Sequence, residues 1–141
     1  MDAVGAVGKT GRLSGLSLGL LMSLLLVTLV GCSAAPKGKG GIPIGFTETG
    51  LASYYADRHQ NQKTANGERY SHKLRTAAHK KLPFGSQVRV TNLQTGKSVM
   101  VRINDRGPFV RGRVIDLSKS AFSEIGNTST GLLRVKVEVI K

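Results

Sequence analysis

A single cysteine, Cys32, rules out an internal disulfide. It also stands too far along the chain from His59, His72 and His79 for any familiar zinc spacing, so no metal and no cofactor are expected. Internal repeats, a nucleophile elbow, a phosphate-cradling glycine loop and paired metal-ligand motifs are all missing. Acidic residues are scarce, 8 against 21 basic ones, for a formal charge of +13. That surplus suits anionic surroundings such as a cell-wall polymer, a membrane surface or nucleic acid. Nucleic acid fits worst, because neither a recognition helix nor a basic–aromatic platform is legible, and no such partner is expected.

The front of the chain does not read as a domain. Lys9 and Arg12 precede an apolar, leucine-rich run over 13–30 that closes on Leu29-Val30-Gly31-Cys32. This is the three-part build of an export signal, and the small residue before the cysteine resembles a bacterial lipobox. The expectation is a lipoprotein signal peptide over 1–31, with Cys32 acylated as the mature N-terminus. The protein would then be exported and held on a membrane facing the cell wall, with Ser33 fitting the outer membrane where the source has one. The alternative is an uncleaved transmembrane anchor, since the run is just long enough to span. Residues 32–49 hold Pro36, Pro43 and several glycines with Lys37 and Lys39, and read as a flexible tether.

The remainder, 50–141, is one domain that can bury a core near the lower limit of comfortable size. Leu51 to Ala56 opens it as a strand. Val88 and Val90, then Val99, Val101 and Ile103 after a 92–96 turn, share one face, which predicts a hairpin. Ser118 caps a short helix through Ile125 that Gly126 ends. Leu133, Val135, Val137 and Val139 alternate with charged residues as a last strand. Short strands dominate, which predicts a mainly all-β, small closed barrel with one or two short helices.

The stretch 102–118 concentrates the chemistry. An alternating run stops at Asn104-Asp105-Arg106-Gly107-Pro108, and a second run, Arg113 to Leu117, brings in Asp116. A carboxylate at a strand end on a rigid turn is a common functional placement. Together with Gly50-Leu51-Ala52-Ser53-Tyr54-Tyr55, Thr64-Ala65-Asn66-Gly67-Glu68, Thr76-Ala77-Ala78-His79, Leu82-Pro83-Phe84-Gly85 and Val88-Arg89-Val90-Thr91-Asn92, it resembles the rare lipoprotein A family. The resemblance runs over 50–141 and implies a six-stranded double-psi β-barrel. It also implies an endolytic lytic transglycosylase that cleaves the β-1,4 bond between N-acetylmuramic acid and N-acetylglucosamine, leaving 1,6-anhydro ends, on peptide-poor glycan. The chain ends just past its last strand, without the C-terminal glycan-recognition domain of many relatives, so septal targeting is not expected.

By that resemblance Asp105 is the acid/base, with Glu68 and His79 as further active-site residues. In such a reaction the sugar's own C6 hydroxyl attacks, so one carboxylate can serve as acid and then base. Arg102, Arg106 and Arg113 would favour ionised Asp105, and Glu68 is the candidate that pushes back as a close like charge. Tyr54 and Tyr55 would line a glycan groove by stacking, with Asn104 and Arg106 beside them on substrate. Each has a plainer reading. Asp105 could simply cap backbone N–H groups of its turn or pair with Arg106, Glu68 could be a solvated loop acid, and His79 a satisfied core or edge histidine. One of the two tyrosines must pack inward by alternation. Asp116 reads as structural, paired with Arg113 or bonding backbone near Ser118, and His59 and His72 as surface residues. Partners would be peptidoglycan glycan strands and, through the lipid, a membrane, with the protein acting as a monomer. The alternatives are an expansin-like module that binds glycan without cleaving it, and a basic lipoprotein that only adheres to the wall.

Overall fold

The computed structural model describes residues 41–141. The expected signal peptide over 1–31, Cys32 and the tether as far as residue 40 lie outside the described residues. Six strands close into one barrel: β1 (Thr47–Tyr54), β2 (Thr76–His79), β3 (Gln87–Asn92), β4 (Ser98–Asp105), β5 (Arg113–Leu117) and β6 (Leu133–Val139). Among the described residues, one α-helix, α1 (Lys119–Ile125), and two single 3₁₀ turns complete the elements. Around the barrel the order is β1-β5-β2-β4-β3-β6. The β1/β5 and β2/β4 pairs are parallel and the other four antiparallel.

Alternation fills the interior. In the β3–β4 hairpin Val88 faces Val101 and Val90 faces Val99, all buried, as their period-two spacing predicts. Leu133, Val135, Val137 and Val139 of β6 line the same core. Helix α1 closes it with Ala121, Phe122 and Ile125. The Ser118 hydroxyl caps the helix by accepting the Ala121 N–H, as expected. Gly126 ends it in extended backbone, and the reason is room. A Cβ there would lie 2.5 Å from Leu133 Cδ1.

Two strands depart from the expectations. β1 starts at Thr47 rather than Leu51 and ends at Tyr54, its polar start held by pairing of Thr47 and Glu48 with Glu138 and Val137 of β6. β2 carries no alternation, because Thr76, Ala77, Ala78 and His79 are buried on both faces between β5 and β4. Among the described residues no helix is long and apolar enough to cross a membrane.

The register positions the site. Ala78 pairs with Asp105 on β4 and with Asp116 on β5, and Asp116 in turn pairs with Ser53 on β1. Their neighbours Ala52, Ala77, Ile103, Ile115 and Leu117 belong to the core. Ser53, Asp116, Ala78 and Asp105 therefore form a row on the outer face of the barrel.

Candidate active site

Asp105 ends β4 and its carboxylate is fixed by three donors. The Tyr55 hydroxyl donates to Oδ2 at 2.6 Å, while the backbone N–H groups of Ala65 and Arg106 donate to Oδ1 at 2.8 and 2.9 Å. Tyr55 follows β1, and its ring packs on Tyr70 at 4.4 Å between centroids and edge-on to His59. Burial, followed by the bond to Asp105, pushes the Tyr55 phenol well above its ordinary value, so it stays a protonated donor.

The described residues carry seven carboxylate side chains: Glu48, Asp57, Glu68, Asp105, Asp116, Glu124 and Glu138. Six of them have a basic side chain within 3.5 Å, and Asp105 alone has none. The expected crowd of arginines is otherwise engaged. Arg102 grips Glu68 and Arg113 grips Asp116 in forked pairs. The Arg106 guanidinium lies 3.9 Å over the Phe84 ring and donates long bonds to the carbonyls of His79 and Asp105. The electrostatic conflict predicted for Asp105 therefore does not arise from ion pairing.

Glu68 is correspondingly not the close, proton-sharing carboxylate that was expected. It accepts from both terminal nitrogens of Arg102, from Asn66 Nδ2 and from Asn104 Nδ2. Arg102 above all, and then Asn66, hold its pKa down at about 2, so it is a fixed anion. Its effect on Asp105 is mechanical. It braces loop 64–68, whose Ala65 N–H caps Asp105 and whose Asn66 N–H bonds the Asn104 carbonyl. Asn104 is buried against Glu68 and is not presented to a substrate, because the bulge between Ala77 and Ala78 in the β2/β4 register tucks it inward.

His79 is also fully used. Its Nδ1 accepts the N–H groups of Lys81 and Leu82 at 3.1 Å, so Nε2 carries the hydrogen and donates to Glu48 at 2.9 Å. Burial pushes the imidazole below its ordinary value against the upward pull of Glu48, and the ring makes no bond to Asp105. It shapes the 79–82 turn whose carbonyl receives Arg106.

The tyrosines do not offer open faces. Tyr54 packs on Phe122 at 4.8 Å and donates to the Thr128 carbonyl, and Tyr55 is spent on Tyr70 and Asp105. Asp116 is paired with Arg113 as expected; burial nonetheless pushes its pKa up, Arg113 only partly offsetting this. Tyr70, beneath Tyr55, was missed, since nothing in the sequence sets it apart. An open hollow of about 360 Å³ beside Ser53 and Tyr54 adjoins the row. A larger hollow, about 540 Å³ between Thr95, Lys97 and Thr128, contains no candidate residue. No cluster of three or more metal-ligating side chains occurs among the described residues.

Residues 47–137 match the family model described as lytic transglycolase. An endolytic peptidoglycan transglycosylase RlpA of Neisseria meningitidis is 54% identical over 95 residues, 67% of this chain and 40% of the relative, so the chain spans well under half of that protein. Among solved structures, the Streptomyces papain inhibitor superposes with a TM-score of 0.58 at 24% identity, covering 71% of this chain and 99% of that one. A Clavibacter michiganensis expansin in complex with cellohexaose superposes with a TM-score of 0.54 at 19% identity, covering 68% and 51%. These last two share the fold alone. The family model spans nearly every strand of the barrel described above, and the chain belongs to the lytic transglycolase, RlpA-like family of double-psi β-barrels.

Proposed function

We propose that this domain is an endolytic lytic transglycosylase acting on peptidoglycan, with Asp105 as its acid/base. The observation that carries the reading is that Asp105 is the one described carboxylate with no basic side chain, charged or neutral, bonded to it. It is nonetheless held in a fixed plane by Tyr55, Ala65 and Arg106. With Oδ1 taken by two backbone N–H groups, Oδ2 is the oxygen that exchanges a proton. The Tyr55 hydroxyl keeps donating to the remaining lone pair of Oδ2 when that oxygen is protonated, which leaves the proton free for the substrate.

Asp105 gives its proton to the glycosidic oxygen between N-acetylmuramic acid and N-acetylglucosamine as the C1–O bond breaks. The C6 hydroxyl of the muramyl residue closes on C1 and its proton returns to Asp105. No water is consumed, and one carboxylate serves both halves. Glu68 and His79 support this by bracing the loops on either side. The meningococcal relative carries that activity in its name, which supports the reading. The excess of basic residues suits a glycan bearing lactyl carboxylates.

The N-terminal run and Cys32 complete the proposal as an export signal and lipid anchor, placing the domain at the membrane facing the wall. One chain supplies every site residue, so a monomer suffices.

The test is a digest of peptide-free and intact glycan by the purified protein, read by mass spectrometry for 1,6-anhydro-muramyl ends. The unaltered protein should produce them and Asp105→Asn should not, while still binding glycan. Binding without anhydro ends from the unaltered protein would replace the enzyme with a glycan-binding module. Mass spectrometry of the membrane fraction should find acyl chains on Cys32, lost in Cys32→Ala.

A further inference from the structure

The chain has few aromatic residues, three tyrosines and four phenylalanines. All three tyrosines and Phe122 are packed or hydrogen-bonded inside the fold. Phe84 and Phe109 instead stand 41% and 84% exposed, although burying either would be favourable by roughly 2 kcal/mol. The remaining exposed ring, Phe46, precedes β1, and its backbone pairs with Val139 at the end of β6.

Phe84 meets Arg106 directly, and Phe109 rides on the turn that follows Arg106. The guanidinium lies over the face of Phe84, and its donors reach the backbone carbonyls of Asp105 and His79. Phe109 folds back over the turn, so that a Cβ on Gly107 would touch its ring at 3.6 Å. Gly107 has a φ of +117°, which a side chain would strain, so the turn that brings the ring back depends on that glycine. Of the three arginines near Asp105, two are neutralised by Glu68 and Asp116, and Arg106 meets no carboxylate among the described residues.

We infer that Phe84, Arg106 and Phe109 form a sugar subsite beside Asp105 that takes the carboxylate-bearing residue of the glycan. This rests on the glycan-cleaving reading of Asp105. The C–H faces of a pyranose ring match exposed aromatic faces, and a guanidinium already flattened on a ring is a forked receptor for a lactyl carboxylate. The aromatic platform is therefore not the Tyr54–Tyr55 pair but two phenylalanines carried by turns, with the Arg106 cation laid on one of them. The arrangement distinguishes a muramyl residue from N-acetylglucosamine, which has the same ring and no carboxylate.

The test measures calorimetric binding of the full-length protein to peptide-free muramyl glycan strands and to an N-acetylglucosamine oligomer of equal length. It is run in an Asp105→Asn background and with the unaltered protein at low temperature, with cleavage of the muramyl strands by the unaltered protein assayed alongside. Phe109→Ala should weaken both ligands about tenfold, with the melting temperature kept because the ring is exposed. Arg106→Gln should remove the preference for the muramyl strand and leave the neutral oligomer within about twofold, a pattern misfolding would not give. Unchanged binding in Phe109→Ala, or a muramyl preference that survives Arg106→Gln, overturns the subsite. Cleavage separates the two readings. Anhydro ends with unchanged binding leave the enzyme standing and remove the subsite, and the predicted binding pattern without anhydro ends does the reverse.

Discussion

Glu68 and Arg102, 34 positions apart in sequence, meet through two parallel hydrogen bonds of 2.7 and 2.8 Å. A forked pair of this kind makes the glutamate a permanent anion and a brace for the loop above Asp105. Because its folded pKa is depressed, from 4.5 to about 2, the pair's contribution is fully present above pH 4.5 and is lost as pH falls toward 2. Both side chains are partly exposed, so the contribution is about 1 kcal/mol. Denaturant unfolding at stepped pH should show this loss in the unaltered protein and not in Glu68→Gln. Identical slopes in the two proteins would remove the brace.

His79 titrates in a separate window. Its folded pKa is lowered by burial, so the unfolded chain binds the proton more readily. The stability it contributes is complete above about pH 6.5 and declines as the pH drops below that value. His79→Gln should be less stable at neutral pH, where the Glu48 bond and the two backbone donors lose their partner. It should also lack the slope between neutrality and pH 5. A slope that persists in the variant would point to a different titrating group.

Tyr55→Phe separates positioning from stacking. The variant keeps the ring against Tyr70 and loses only the bond to Asp105 Oδ2. A hydrogen bond to a charged group contributes about 1.5–3 kcal/mol, so kcat should fall roughly ten- to a hundredfold with KM unchanged. If KM rises instead and kcat holds, Tyr55 contacts the glycan directly.

Gly50→Ala tests the parallel pairing of β1 with β5. A Cβ at this position would sit 2.4 Å from Val114 Cγ1 and 3.3 Å from the Gly112 carbonyl. The β-branched valine cannot rotate away freely, so β1 and β5 must part slightly. The expected cost is about 1–3 kcal/mol, read as a lower melting temperature, with glycan cleavage reduced because Ser53 and Asp116 shift together. A melting temperature equal to that of the unaltered protein would mean that the two strands yield without cost.

What was legible in the sequence was local. The hairpin of β3 and β4, the alternation of β6 and the Ser118 cap all follow from period and capping chemistry within ten or so residues. β2 was not legible, because a strand buried on both faces has no alternation to show, and Thr76-Ala77-Ala78-His79 carries no other signal. Asp105 could be singled out as a strand-end acid, but its neighbours could not be paired. Arg102 and Arg113 look as though they press on it, and only the folded register sends them to Glu68 and Asp116. Loop 64–68 closing over Asp105, and the exposure of Phe109, are likewise products of long-range topology. The double-psi topology is what the family resemblance implies, and the strand order is legible only in the fold.

The seam between the two ends of the domain has a consequence for how it is made. β1 is flanked by β5 and β6, so residues 47–54 have no complete seat until residues 133–139 have been synthesised. A nascent chain that still lacks β6 leaves the first strand with one edge open. Native closure therefore waits for residues 133–139, and the long-range pairing makes folding slow.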